Sequence, residues 1–158
     1  MAAMDRGNFI IDSMTEFKKK ISLRWSDLDP NFHVRHSVYY DFAAQQRIEI
    51  LEELGLTLKV MKEQHFGPVL FREECIFRRE IRLADTITIT ASMSKCKPDA
   101  SRWSIRHEFL NAENKTLATI NVDGAWMDTE LRKMASPTPK IVSEILHSFP
   151  KTDDFTES

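Results

Sequence analysis

The sequence predicts an α+β protein in which a mainly antiparallel, five-stranded sheet wraps around one long helix. Apolar and polar residues alternate with a period of two in five separate segments, which is the pattern of half-buried strands. One long segment with helical spacing lies between the first and second of these strands, and a shorter helix follows the last strand. Strands with one polar face favour antiparallel pairing, and the long helix is then the element that covers the sheet.

The first predicted strand is residues 17–25. Its apolar face is interrupted by Lys19, and the strand ends in a dense turn signal over residues 26–31. The long helix is predicted from Ser37 to Leu54, because apolar residues recur there near helical spacing. Ser37 is the predicted N-cap and Gly55 the residue that ends the helix.

The remaining strands are predicted near residues 69–77, 86–94, 102–109 and 118–126. Turn residues at 97–100 and 111–115 separate the last three of them. A C-terminal helix is predicted after Pro139. His107 lies on the apolar face of its strand, which is typical of a core histidine rather than a ligand. Cys75 and Cys96 lie in or beside strands and are not expected to be nucleophiles.

The composition is that of one globular domain. The chain has 158 residues, of which 42% are hydrophobic and 29% are charged, so it can bury a sizeable core. The 22 Lys and Arg residues nearly balance the 24 Asp and Glu residues, which argues against a nucleic-acid partner. Two cysteines make a disulfide scaffold or a cysteine-rich zinc site unexpected. Without a membrane-spanning run or a signal-peptide pattern, we expect a cytoplasmic protein with no membrane partner.

We predict a single domain over residues 1–158, with its core at about 17–127. Residues 1–14 have no clear periodicity and are predicted to form a flexible arm. Residues 150–158 are polar and are predicted to be a frayed tail. No cofactor or metal is expected, because the sequence has no glycine-rich phosphate loop and no third ligand accompanies His33 and His36.

One segment, residues 25–40, is dense in chemically useful side chains. Two carboxylates, one carboxamide and two imidazoles fall within ten positions, where the first strand ends and the long helix begins: Asp27, Asp29, Asn31, His33 and His36. Free backbone N–H groups at a helix start stabilise negative charge, and a nearby carboxylate can act as a base or a nucleophile. The alternative is structural, because Asp-Pro-Asn is also a common turn sequence.

This segment resembles the active-site segment of hotdog-fold thioesterases, in the 4-hydroxybenzoyl-CoA thioesterase-like superfamily. The usual pattern there is Asp-x-Asp-x-x-x-His-Val-Asn-Asn, and four residues match it, while Arg35 and His36 replace the two asparagines. The matching residues are Asp27, Asp29, His33 and Val34. In the helix, Tyr39 matches the family's aromatic residue, and Arg47 with Glu49 matches its Arg-x-Glu. Asp29, Asn31 and His33 also match the Asp-x-Asn-x-His of acyl-ACP thioesterases.

The resemblance implies a hotdog fold and hydrolysis of an acyl thioester. Asp29 would attack the thioester carbonyl or activate water, and Asn31 and His33 would position water or substrate. Backbone N–H groups near His36 and Ser37 would polarise the carbonyl. Tyr39 completes the predicted substrate-binding set, and Asp27 is expected to support the loop. Arg35 would either contact a nucleotide phosphate or be a solvated charge.

The resemblance also implies acyl-CoA or acyl-ACP as substrate and self-association into a homodimer or homotetramer, with sites at the subunit interface. Exposed strand edges favour such pairing. The phosphates of CoA would meet basic residues, for which the candidates are Arg78, Arg79, Arg82, Lys95, Lys97, Arg102 and Arg106. The sequence does not distinguish aliphatic from aromatic acyl groups. Five phenylalanines could line a tunnel for the acyl group or belong to the core: Phe32, Phe42, Phe66, Phe71 and Phe77.

Two other functions compete with the thioesterase. A hotdog hydratase or dehydratase has a similar Asp-x-Asn, but its histidine follows the aspartate by five positions, whereas His33 follows Asp29 by four. A non-catalytic module that binds acyl thioesters would use the same pocket without turnover. Loss of turnover with retained binding in Asp29→Ala would separate the enzyme from the binding module.

Overall fold

The computed structural model describes residues 16–158 and contains one large sheet with three α-helices. The helices are α1 (Val38–Glu53), α2 (Leu58–Glu63) and α3 (Lys140–Ser148). The strands are β1 (Phe17–Ile21), β2 (Phe66–Phe77), β3 (Ile87–Cys96), β4 (Arg102–Leu110), β5 (Thr116–Asp128), β6 (Lys133–Met134) and β7 (Lys151–Thr156). The predicted arm at residues 1–14 lies outside the described residues.

The sheet is seven-stranded, and five of its strands follow the order β1-β3-β4-β5-β2. All neighbours along this path are antiparallel. The short strand β6 pairs with β5, and β7 pairs with β3 in parallel. Strand β2 therefore forms one end of the path, and its outer edge has no partner strand within residues 16–158.

Helix α1 packs against β1, β3 and β5, so the sheet covers it as predicted. The close approach depends on Ala43, which is completely buried and brings almost no side-chain bulk. Alternating strand residues supply the opposite side of the same core, as in β3, where Ile87, Ile89, Ala91 and Met93 are all buried. The helix ends as predicted at Gly55, whose φ of 96° is a left-handed conformation that glycine adopts without strain.

Two local predictions about the start of the fold are wrong. Strand β1 ends at Ile21 rather than continuing to Trp25, and Trp25 lies in a short 3-10 turn with 74% of its surface exposed. Ser37 precedes α1, but its side chain caps no helix N–H. The Ser37 Oγ instead accepts a hydrogen bond from Arg35 Nη1 at 2.5 Å. Lys19, which interrupts the apolar face of β1, forms an ion pair with Glu49 of α1.

The prediction of a frayed tail at residues 150–158 is also wrong. Residues 151–156 form β7, and the carbonyl of Pro150 accepts a hydrogen bond from Met93 N–H at 2.8 Å. Asp154 forms two hydrogen bonds with the guanidinium of Arg106, at 3.0 and 3.1 Å. The tail is polar and shows no strand pattern in its sequence, because β7 pairs through its backbone at the surface of the sheet. Among the helices of residues 16–158, none is long and apolar enough to span a membrane.

Candidate active site

The chemically dense segment forms a tight loop between β1 and α1, anchored by Asp27. This side chain is completely buried and accepts hydrogen bonds from the backbone N–H of Arg24 and from its guanidinium, both at 2.8 Å. Burial alone would raise the pKa of Asp27, but the hydrogen bonds and charge of Arg24 outweigh it and lower the pKa. The backbone carbonyl of Asp27 accepts from Arg35 N–H at 2.8 Å. Asp27 thus has the contacts of a residue that supports the loop.

Asp29 is held by an Asx turn, the structural role that its sequence allowed. The backbone N–H groups of Asn31 and His33 donate to Asp29 Oδ1, at 2.8 and 3.2 Å. The Asp29 N–H in turn donates to the carbonyl of His33 at 2.8 Å. Both side-chain contacts use the same carboxylate oxygen, and Oδ2 makes no hydrogen bond within the described part of the chain. The turn therefore fixes the carboxylate and leaves one of its oxygens available.

The tip of this loop is joined to the segment that follows β2. The N–H of Val34 donates to the carbonyl of Ile81 at 2.8 Å, and His33 forms an isolated bridge with Arg82. The His33 Nε2 lies 2.9 Å from Glu80 Oε2. These contacts bring residues 78–82 beside the loop, although they are about fifty positions away in sequence.

An open cavity of about 330 Å³ lies between the loop, the start of α1 and the end of β2. It is lined by four of the six predicted site residues, namely Asp29, His33, His36 and Tyr39. Asn31 is exposed and does not line the cavity, and neither does Ser37, whose Oγ accepts a hydrogen bond from Arg35. The cavity is completed by Val34, Phe77, Arg78, Arg79 and Glu80.

Aromatic packing fixes Tyr39 at the wall of the cavity. Its ring contacts Phe77 and Phe109 edge to face, with centroids 5.1 and 5.2 Å apart. Burial raises the pKa of Tyr39 to about 12, so its hydroxyl stays protonated at neutral pH. Tyr39 therefore offers an apolar ring and a neutral hydroxyl, but no general base.

The start of α1 supplies backbone donors beside these side chains. Within residues 16–158, the N–H groups of His36 and Ser37 donate to no backbone acceptor outside α1. Such unpaired groups at a helix start carry partial positive charge, which suits a polarised carbonyl oxygen. Arg35 is committed elsewhere, because its Nε donates to the carbonyl of Ser26 at 3.2 Å and its Nη1 donates to Ser37 Oγ. Its contacts are those of a loop brace.

Glu80 is the site residue that sequence reasoning missed. No motif marks it, and only the folding of residues 78–82 onto the loop brings its carboxylate to His33. Arg78 and Arg79 were among seven equivalent basic candidates, and the structure separates them from the others by their position in the cavity wall. Phe77 also lines the cavity, where the sequence left open whether it belonged to a tunnel or to the core.

The cysteines and the central histidine have the environments expected for structural residues. Burial raises the pKa of both Cys75 and Cys96 to about 11, which makes their thiolates scarce at neutral pH. His107 is completely buried and hydrogen-bonded, which confirms the prediction of a core histidine. Over residues 16–158, no three or more His, Cys, Asp or Glu side chains are grouped to hold a metal ion.

Comparison with known proteins identifies the family. The model of the thioesterase-like superfamily matches residues 23–146. The chain belongs to this superfamily. No curated protein sequence matches it significantly.

Solved structures confirm the hotdog fold of this superfamily member. A hypothetical protein from Staphylococcus aureus, solved in complex with CoA, superposes with a TM-score of 0.78 at 16% identity, over 87% of each chain. A 1,4-dihydroxy-2-naphthoyl-CoA thioesterase from Synechocystis superposes with a TM-score of 0.73 at 16% identity, over 84% of this chain and 96% of that one. The DHNA-CoA thioesterase of S. aureus superposes with a TM-score of 0.66 at 14% identity, over 75% of this chain and 78% of that one.

Proposed function

We propose that this protein is an acyl-CoA thioesterase whose chemistry depends on the carboxylate of Asp29. The observation that carries the proposal is the position of this group. Its carboxylate is fixed by two backbone N–H donors, keeps one oxygen available, and lies in an open cavity with the start of α1. Membership of the thioesterase-like superfamily and the CoA-bound S. aureus neighbour support the choice of substrate.

The reaction consumes one water and yields a carboxylic acid and the CoA thiol. Asp29 either removes a proton from water as that water attacks the thioester carbon, or attacks the carbon itself to form an anhydride that water then cleaves. In both routes, negative charge develops on the carbonyl oxygen, and the N–H groups at the start of α1 would stabilise it. The C–S bond then breaks, and the leaving thiolate takes up a proton.

The remaining cavity residues would position the substrate. His33 lies between Asp29 and Glu80, so it would orient water or substrate with its ring nitrogen held by the Glu80 carboxylate. Arg78 and Arg79 line the cavity on the side of β2, where two positive charges suit the phosphates of CoA. Asn31 remains a predicted catalytic residue; with its side chain outside the cavity, it would act only after the loop closes on substrate.

The test is thiol release from a panel of acyl-CoAs by the wild-type protein and by Asp29→Asn. We expect activity in the wild type and a loss of at least about a hundredfold in kcat for the variant, since it lacks the carboxylate but keeps the size of the side chain. The matched control is Asp41→Asn, which makes the same change at an exposed carboxylate in the first turn of α1 and should keep near-normal activity. Substrate binding without thiol release from any acyl-CoA would favour the non-catalytic binding module.

A single turnover in water labelled with ¹⁸O tests the anhydride route. Label found in Asp29 after the product acid has left would indicate attack by the carboxylate and an anhydride that water cleaves at the Asp29 carbon. Label found only in the product acid would indicate that water attacks the acyl carbon, either of the thioester or of an anhydride. Activity that survives in Asp29→Asn would refute both.

We also propose that the active protein is at least a homodimer, joined at the outer edge of β2. This strand is 12 residues long, and several of its apolar side chains are exposed, among them Leu70, Phe71, Ile76 and Phe77. A long apolar edge is a liability for a monomer and a template for pairing with a second copy. Because Phe77 also lines the Asp29 cavity, such pairing would bring the second subunit to the site. Sedimentation of the wild type at micromolar concentration tests this, and a single monomeric species would contradict it.

A further inference from the structure

A second cavity, of about 210 Å³, lies on the other half of α1 and has one charged residue in its wall. It is enclosed by α1, the start of β2, the central strands β4 and β5, and α3. Its lining is almost entirely apolar and includes Ile48, Leu51, Leu70, Ile105, Trp126 and Leu146. Among the residues 16–158 that line it, Arg47 is the only ionisable one.

The guanidinium of Arg47 is held in place by a chain of buried hydrogen bonds. Gln46 Nε2 donates to the carbonyl of Ile89 at 3.0 Å, and Gln46 Oε1 lies 2.8 Å from His107 Nδ1. The carbonyl of Thr90 also lies 3.1 Å from this nitrogen, so Nδ1 faces two acceptors and carries the proton. His107 Nε2 therefore accepts a hydrogen bond from Arg47 Nη1, at 3.1 Å.

This arrangement fixes the cation without neutralising it. The side chain of Arg47 is only 12% exposed, yet its hydrogen-bond partner His107 is a neutral imidazole. Within the described residues, the only carboxylate paired with Arg47 is that of Glu73, at 3.9 Å and itself 31% exposed. Burying a charge is costly unless a counter-charge with good hydrogen-bond geometry accompanies it. Within the described residues, only one of the five guanidinium N–H donors, on Nη1, makes a hydrogen bond, while Nη2 lies 3.9 Å from Glu73 Oε1.

The two cavities lie along the same seam between α1 and β2. At one end, Tyr39 of the helix contacts Phe77 of the strand in the wall of the Asp29 cavity. At the other end, the Arg47 cavity is lined by both elements. Eight residues separate Tyr39 from Arg47, which corresponds to about 12 Å along a helix.

We propose that the Arg47 cavity binds the far end of the acyl group and that Arg47 pairs with a carboxylate carried there, so that the preferred substrates are ω-carboxyacyl thioesters. The apolar walls accommodate the methylene chain, and the guanidinium receives the terminal carboxylate through two parallel hydrogen bonds. A simple aliphatic chain fills the same walls but leaves the cation with the Glu73 carboxylate, at 3.9 Å, as its counter-charge. This inference rests on the proposed function for its reaction, but its binding step can be measured separately.

The experiment compares acyl-CoAs that differ only at the far end of the chain. Suberoyl-CoA is compared with octanoyl-CoA, and sebacoyl-CoA with decanoyl-CoA, so that each pair has equal carbon number. Dissociation constants are measured by calorimetry in Asp29→Ala, which would not consume the ligand. The same pairs are then assayed for thiol release by the wild-type protein. We expect the ω-carboxyacyl member to bind at least about tenfold more tightly, as for a hydrogen bond to a charged group.

Substitutions at Arg47 identify the group responsible. In the Asp29→Ala background, Arg47→Met should abolish the preference within each pair, and Arg47→Lys should restore part of it by returning the charge without the planar fork. Lys140→Met is the matched control, since it removes an equal charge from a side chain that is 90% exposed. The ligand comparison at the unaltered Arg47 needs no substitution there and therefore does not depend on the folding of the Arg47 variants.

The possible outcomes separate this inference from the proposed function. Octanoyl-CoA binding as tightly as suberoyl-CoA, or a preference that persists in Arg47→Met, would overturn the role of Arg47 even if hydrolysis occurs. A preference that depends on Arg47 without any thiol release would support the binding site and refute the thioesterase. Suberoyl-CoA and octanoyl-CoA binding with the same affinity would assign that affinity to the CoA part that they share and would also overturn the inference.

Discussion

Lowering the pH from 7 to 5 should destabilise the folded protein through His107. This imidazole is completely buried, and its pKa is lowered from 6.5 to about 3. The main cause is burial, which penalises the charged form; the positive charge of Arg47 adds to it, while the hydrogen bond to the carbonyl of Thr90 opposes it. The folded state therefore keeps His107 neutral across this pH range.

The expected loss follows from the difference in proton binding between the two states. In the unfolded chain, His107 regains a pKa near 6.5 and binds a proton as the pH falls, while the folded state does not. The part of the unfolding free energy that depends on neutral His107 is fully present above pH 6.5 and declines progressively as the pH falls toward 3. At pH 5 this linkage costs about 2 kcal/mol of unfolding free energy. The carboxyl of Asp27, whose pKa is lowered, titrates below this range.

The assay is urea unfolding followed by tryptophan fluorescence at pH 7, 6 and 5, at one fixed protein concentration. His107→Gln is the control, because it retains hydrogen-bonding capacity but cannot titrate. We expect its stability to vary by much less than about 2 kcal/mol over the same range. Equal stability of the wild type at pH 7 and 5, or an equal decline in His107→Gln, would show that His107 is not the group that resists protonation.

Three further predictions concern packing, the loop and association. A Cβ at Gly124 would lie 2.4 Å from Cζ2 of Trp103, so Gly124→Ala should lower the unfolding free energy by about 1–3 kcal/mol in urea, and an unchanged midpoint would contradict this contact. Asp27→Ala removes the acceptor for Arg24, whose guanidinium is 70% exposed. We therefore expect a loss of unfolding free energy near the lower end for charged hydrogen bonds, about 1.5 kcal/mol by calorimetry. An unchanged unfolding free energy would argue against Asp27 as the anchor of the loop. Ile76→Asp places a charge on the β2 edge and should shift sedimentation toward monomer; an unaltered dimer would exclude this edge.

Most of the fold could be predicted from local patterns. The α1 segment, the strands and the hotdog architecture follow from periods of 3.6 and 2 and from the resemblance, and the structure confirms them. The errors fall where local pattern is a poor guide. Trp25 continues an alternation but lies in an exposed turn. Strand β7 has a single apolar residue, Phe155, and is held mainly by pairing with β3 and by Asp154, so it shows no period of two.

The candidate site could be predicted only in part. Asp29, His33, His36 and Tyr39 come from one continuous segment, and the structure brings all four to one cavity. Asn31 belongs to the same motif, but the geometry of the Asx turn leaves its side chain outside. Their catalytic roles remain predictions. Glu80 could not be found from sequence, because its approach to His33 depends on pairing between distant segments.

The sequence by itself determined which residues are apolar, where the helix and strands form, and which short segment carries the reactive groups. These properties depend on neighbours within a few positions along the chain. Only the tertiary structure decided that Arg47 is a buried cation beside a neutral His107, with a largely apolar cavity around it. The charge of a side chain is known from its type, but its desolvation and its partners depend on elements that meet only when the sheet closes around α1.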